Sequence, residues 1–128
     1  MITGTVNADS EAIIRLQVQG PTGHAQDIDA LIDTGFNGFL TLPPAVVTAL
    51  GLARRSRGRA QLANGREELF DIYGVTVLWD GQPRYIEADA VDALPLVSMA
   101  LLDGYDLHIQ VRAGGQGVIQ ASDPGSPC

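Results

Sequence analysis

Two dipeptides narrow the choice of fold more than any other part of this sequence. Asn64-Gly65 and Asp80-Gly81 each stand between runs of strand-forming residues. Such a dipeptide so flanked is the strongest short-range sign of a β-hairpin, because both residues tolerate the positive φ of a tight reversal. The first arm enters through Ala60, Gln61 and Leu62, and the second leaves through Leu69, Phe70, Ile72, Val75, Val77 and Trp79. After Asp80-Gly81 the segment 85–91 returns as a further strand. No helix interrupts this stretch, so the middle of the chain is expected to be a long projecting hairpin that continues into a meander.

The flanking segments read the same way. Residues 2–8 form a first strand, and in residues 11–19 Ile14, Leu16 and Val18 alternate with Arg15, Gln17 and Gln19, the period of a half-buried strand. Gly20-Pro21-Thr22-Gly23 turns the chain into residues 26–33, with Asp27 and Asp29 outward and Ile28, Ala30 and Ile32 inward. Pro43 and Pro44 suit a helix's first turn, Val46, Val47 and Leu50 give a short apolar face, and Gly51 is placed to end it. Leu94 to Leu102 is mostly apolar, with Ser98 able to cap a helical turn and Gly104 to close it. Tyr105, Leu107, Ile109 and Val111 alternate as a late strand. Residues 113–117 break it, and Val118-Ile119 is a last short strand or an edge. The fold class is all-β with one or two short helices, without room for a parallel α/β sheet.

Within that frame, Leu31-Ile32-Asp33-Thr34-Gly35-Phe36-Asn37-Gly38-Phe39-Leu40-Thr41-Leu42 carries the chemistry. Ala30, Leu31 and Ile32 suit a strand buried on both sides, so Asp33 emerges from the interior into a glycine-flanked turn. Thr34 supplies a hydroxyl able to hydrogen-bond inward, and Gly35 and Gly38 permit close backbone approach. Two readings stand for Asp33: an Asx turn capping its own backbone, or a catalytic carboxylate.

Charge and residue inventory exclude several alternatives. The chain has 128 residues, enough for one core and too few for two. Eight basic and fifteen acidic residues give a net charge of −7, which argues against nucleic acid as partner. Arg54, Arg55, Arg57 and Arg59 are read as a solvated loop or strand edge. No apolar run reaches the roughly 20 residues of a membrane helix, and residues 1–4 do not resemble the start of a signal peptide, so the expectation is a cytoplasmic protein without membrane contact. Cys128 follows Ser122 to Pro127 and is expected on a flexible tail. His24 and His108 lack cysteine or spaced glutamate companions, and no nucleophile elbow or phosphate loop is present. No metal and no cofactor is expected. Asp71, Asp80, Asp89, Asp92, Asp103 and Asp106 are read as solvated. Phe36, Phe39, Leu62 and Ile86 are candidates for lining an apolar cleft, although core packing explains each as well.

The order of these parts resembles the retropepsin-like aspartic proteases. One Asp-Thr-Gly after a buried strand, an Asn-Gly hairpin downstream and an apolar pair before a short helix carry the likeness over about residues 2–111. Asp33-Thr34-Gly35-Phe36-Asn37-Gly38 with Leu42-Pro43 is most similar to the small bacterial branch with a phenylalanine after the glycine. The resemblance implies a closed β-barrel of residues 1–112, with 113–128 a short final strand or flexible tail. It further implies a homodimer, a catalytic Asp33, a Thr34 that cross-braces the dimer, a Gly35 in the active-site turn, and a flap at Leu62, Ala63, Asn64 and Gly65. One position departs from the family pattern. Its apolar-apolar-glycine element is Leu96-Val97-Ser98 here, and the Ser98 side chain is expected to crowd the back of the Asp33 turn.

Chemistry requires a second chain independently of the resemblance. Peptide hydrolysis by carboxylates needs one ionised group as base and one protonated group as acid, and the chain holds one Asp-Thr-Gly and no repeat of it. A twofold axis beside Asp33 would supply the partner. The expected function is an aspartic endopeptidase acting on a peptide or protein substrate. The alternative is a catalytically silent dimerisation or peptide-binding module.

Overall fold

The computed structural model describes residues 1–123; the reading of Cys128 falls outside them. The elements run β1 (Ile2–Val6), β2 (Ala12–Gln19), β3 (Ala25–Ile32), β4 (Leu40–Leu42), α1 (Pro44–Leu50), β5 (Arg54–Gln61), β6 (Glu67–Trp79), β7 (Gln82–Ala90), β8 (Leu96–Val97), α2 (Met99–Leu102), β9 (Tyr105–Ile109) and β10 (Gln116–Ala121). They form one sheet in the order β5-β6-β7-β4-β8-β3-β2-β1-β10-β9. A further pairing of Gln17, Val18 and Gln19 with Leu78, Val77 and Thr76 joins β2 to β6, so the strands from β6 round to β2 close into a hydrogen-bonded ring.

Alternation determines which residues fill that ring. Ile14, Leu16 and Val18 of β2, Leu40 and Leu42 of β4, and Val75 and Val77 of β6 all point into one core, which α1 covers with Val46, Val47 and Leu50. α1 has only seven residues and no side-chain N-cap. It is too short to be helical in isolation and depends on this packing. Its C-terminus is closed by Gly51 at φ +62°, a conformation that strongly favours glycine.

The two hairpin turns differ. At the β6–β7 turn both Asp80 (φ +52°) and Gly81 (φ +81°) are left-handed, as a two-residue type I′ turn requires. At the β5–β6 turn only Gly65 is left-handed (φ +83°), and its N–H donates to Leu62 O at 2.9 Å, the pattern of a type I turn with a glycine bulge. β5 is an edge strand. Its arginines pair across to β6 through Arg57–Asp71 at 3.4 Å and Arg59–Glu67 at 3.7 Å, exposed contacts of small energetic weight.

β10 lies between β1 and β9 and places Ile119 in the core, so it is an internal strand and not an edge. The edge on that side is β9, which ends at Ile109; Val111 lies beyond it and is exposed. Among the described residues no helix is long and apolar enough to cross a membrane.

Two parallel pairings position the site. Leu31 and Ile32 pair with Leu96 and Val97, and Leu40 to Leu42 pair with Ala88 to Ala90. The two-residue β8 is wedged between β3 and β4, with Leu40 opposite Val97. The segment joining β3 to β4 therefore leaves and re-enters the sheet on either side of one short strand.

Candidate active site

That segment is the Asp33 turn. The Asp33 N–H donates to Val97 O at 2.8 Å, extending the β3–β8 ladder by one bond. Its carboxylate Oδ1 accepts the Gly35 N–H at 3.0 Å, and its carbonyl accepts the Phe36 N–H at 3.2 Å. This is an Asx turn superposed on a backbone turn, and it leaves Oδ2 without a partner among the described residues. Thr34 and Gly35 are carried outward and exposed. The inward hydrogen bond expected of the Thr34 hydroxyl is accordingly not made among the described residues.

Ser98 corrects the expectation of crowding. It is fully buried, and its Oγ donates to the Gly38 and Phe39 carbonyls, the latter at 3.2 Å, while accepting the Ala100 N–H at 3.1 Å. One hydroxyl thus caps α2 and ties down the far end of the Asp33 turn. Thr41, also buried, braces the neighbouring strand by accepting the Leu96 N–H at 2.8 Å.

A cavity of about 950 Å³ opens beside the turn. Gly35 to Phe39 form one wall, the shaft of the β5–β6 hairpin forms the roof through Ala60, Glu68, Phe70 and Ile72, and the end of β7 closes the third side with Glu87, Asp89 and Ala90. The chain's three phenylalanines, Phe36, Phe39 and Phe70, all line it. Packing at the floor is tight: a Cβ on Gly38 would stand 2.5 Å from Phe36 Cζ and 3.0 Å from Asp89 Oδ2, so a side chain there would displace both. Burial in this wall, and next the Glu87 carboxylate, push the Asp89 carboxyl above its ordinary range.

No family model and no curated protein matches the chain. Among solved structures it is similar to a retropepsin-like aspartic protease from Rickettsia conorii, with a TM-score of 0.55 and 14% identity over 94% of this chain and 90% of that one. The fold is retropepsin-like. At this identity the likeness concerns backbone arrangement alone.

Within the retropepsin-like fold, Asp33, Thr34, Gly35 and Ser98 converge on one turn. Phe36 and Phe39 line the cavity beside it. Leu62, Ala63, Asn64 and Gly65 form the exposed tip of the hairpin, beyond the shaft residues that roof the cavity. Ile86 does not line the cleft. It is 6% exposed and belongs to the core, because alternation along β7 sends Ile86 and Ala88 inward and Glu87 and Asp89 to the cavity. For the same reason Asp89 is half-buried and not solvated. Phe70 and Ile72, which flank Asp71 on β6, are site residues that the sequence reading left as ordinary strand positions. Their shared parity, opposite to that of the core residues Val75, Val77 and Trp79 further along β6, is the signal that marks them. Among the described residues, no group of three His, Cys, Asp or Glu side chains is arranged to hold a metal ion.

Proposed function

We propose that this protein is an aspartic endopeptidase that works as a homodimer, with one Asp33 from each subunit sharing a proton and activating a water. The observation that carries this reading is the Asp33 turn itself: an Asp-Thr-Gly anchored at both ends by residues 97 and 98, with a free carboxylate oxygen, beside a hairpin-roofed cavity on a retropepsin-like fold. The exposed Thr34 and Gly35 are where a twofold axis brings a second turn. Two carboxylates about 3 Å apart cannot both ionise, the behaviour established for aspartic-protease dyads. The ionised member takes a proton from water as it attacks the peptide carbonyl. The protonated member gives its proton to the carbonyl oxygen; the carboxyl that took water's proton then passes it to the amine nitrogen as the C–N bond breaks, while the other carboxylate takes a proton back from the diol as the carboxyl product forms. The hairpins close over an extended peptide and exclude bulk water, in a cytoplasmic setting. The Ser98 hydroxyl is engaged by the Gly38 and Phe39 carbonyls, so it gives no support to a silent module in which it occludes Asp33.

The test is hydrolysis of a peptide library by wild type and Asp33→Asn, followed by mixing under subunit exchange. A wild-type/Asp33→Asn heterodimer has one carboxylate and one amide and cannot supply both acid and base. With equal amounts and random exchange, activity per total protein should fall to roughly a quarter, the fraction of dimers with two wild-type subunits. Activity of one half, with exchange verified by mass, would mean that each chain carries a complete site and would overturn the proposal.

A further inference from the structure

The cavity's charge distribution does not match its apolar walls. Phe36, Phe39, Phe70 and Ile72 make a surface suited to aliphatic or aromatic side chains. Yet four carboxylates, Glu68, Glu87, Asp89 and Asp92, also line it, against one guanidinium, Arg59. Arg59 is directed to Glu67 at 3.7 Å. Glu87 has the Arg55 guanidinium near it, where Arg55 donates to the Tyr85 hydroxyl at 3.0 Å and lies over its ring. Asp89 has no cation and no hydrogen-bond donor among the described residues. It stands against Gly38, on the same turn as Asp33, with its carboxylate within reach of the Phe36 ring.

Resting on the endopeptidase reading above, we propose that Asp89 is a specificity-determining residue, and that this cavity takes a lysine or arginine side chain of the substrate peptide. The aliphatic stem of such a side chain packs on the phenylalanine rings, while its cationic end reaches Asp89. A cation entering the cavity sheds part of its water, and the charge-assisted hydrogen bond it makes to the unpaired half-buried carboxylate, stronger than one on an open surface, offsets that loss. A norleucine side chain has the same four-carbon stem and no ammonium. It would fill the apolar part and leave Asp89 unsatisfied, the arrangement in which a polar site discriminates most strongly.

The test uses peptide pairs that differ only in lysine or norleucine at each position flanking the scissile bond, with kcat/KM measured for wild type and Asp89→Asn. At one position wild type should prefer lysine about tenfold or more, and in Asp89→Asn the lysine-to-norleucine ratio should fall towards one. Equal rates for both peptides, or a lysine preference that survives Asp89→Asn, would overturn the assignment. The same pairs made with a reduced-amide bond, which cannot be hydrolysed, are measured by calorimetry. If no peptide is cleaved, the endopeptidase reading fails, and calorimetry still decides this one. Tighter binding of lysine to wild type but not to Asp89→Asn supports it, and equal affinity or no binding refutes it.

Discussion

Ser98→Ala removes one oxygen atom and should cost more than its size suggests. The hydroxyl makes three contacts in a fully buried position: to the Gly38 and Phe39 carbonyls and from the Ala100 N–H. Losing an N-cap serine to alanine costs about 1 kcal/mol. Leaving the part-buried Gly38 carbonyl without its donor costs about 1–3 kcal/mol more. The Phe39 carbonyl keeps the Ser98 backbone N–H at 3.3 Å, so nothing is added for it. The total of about 2–4 kcal/mol is a large part of the 5–15 kcal/mol that typically holds a domain together, and at roughly 4 °C per kcal/mol it lowers Tm by about 8–16 °C. Urea unfolding and thermal melts at one fixed protein concentration measure it, since a dimer's stability depends on concentration. Ser98→Gly separates the two parts. Glycine is nearly as good an N-cap as serine, so this variant should lose about 1–3 kcal/mol, mainly the Gly38 bond. Peptidase activity should fall in both variants, because the Gly38 end of the turn is released. A Ser98→Ala protein within about 0.5 kcal/mol of wild type, the range of an ordinary surface change, would refute this account of the turn's support.

Three further outcomes are expected. Burial and Glu87 raise the folded-state pKa of Asp89, so its ionised form destabilises the fold fully above that pKa and not at all below the ordinary carboxylate range. Asp89→Asn should therefore melt higher than wild type near neutral pH, and the difference should shrink to nothing in acid; a pH-independent difference would contradict this. Gly51→Ala places a side chain at φ +62° with nothing within 4 Å of the new atom; it should cost about 1 kcal/mol by urea unfolding, purely from backbone strain. Specific peptidase activity should fall on dilution in step with the loss of dimer measured by sedimentation.

Period and turn chemistry made most of the architecture readable in advance. Ile14, Leu16 and Val18 announced the inward face of β2, and Pro44 with Gly51 bracketed α1. What could not be read was anything decided by distant segments meeting. Nothing local tells that Ser98, 60 positions from Gly38 in sequence, would find its carbonyl. Asp89 was read as solvated, and nothing local tells that the β5–β6 hairpin folds over it and Glu87. Ile86 was misplaced by attending to its apolarity and overlooking its parity. Val118-Ile119 looked marginal because five residues rich in glycine precede it, yet β1 and β9 each supply it with a full ladder.

The parallel pairing of β3 with β8 also bears on how the molecule comes into being. During synthesis the Asp-Thr-Gly segment leaves the ribosome early, but the strand that shapes it is made only after the whole β5–β7 meander has been completed. Contacts so widely separated along the chain form late and slowly, since the intervening loop has to be closed before they give anything back. A nascent chain ending anywhere before Val97 carries the motif without the Val97 and Ser98 contacts that anchor it. For a protein proposed to hydrolyse peptide bonds, the timing matters: its carboxylate is held in position only once most of its own backbone has been folded out of reach.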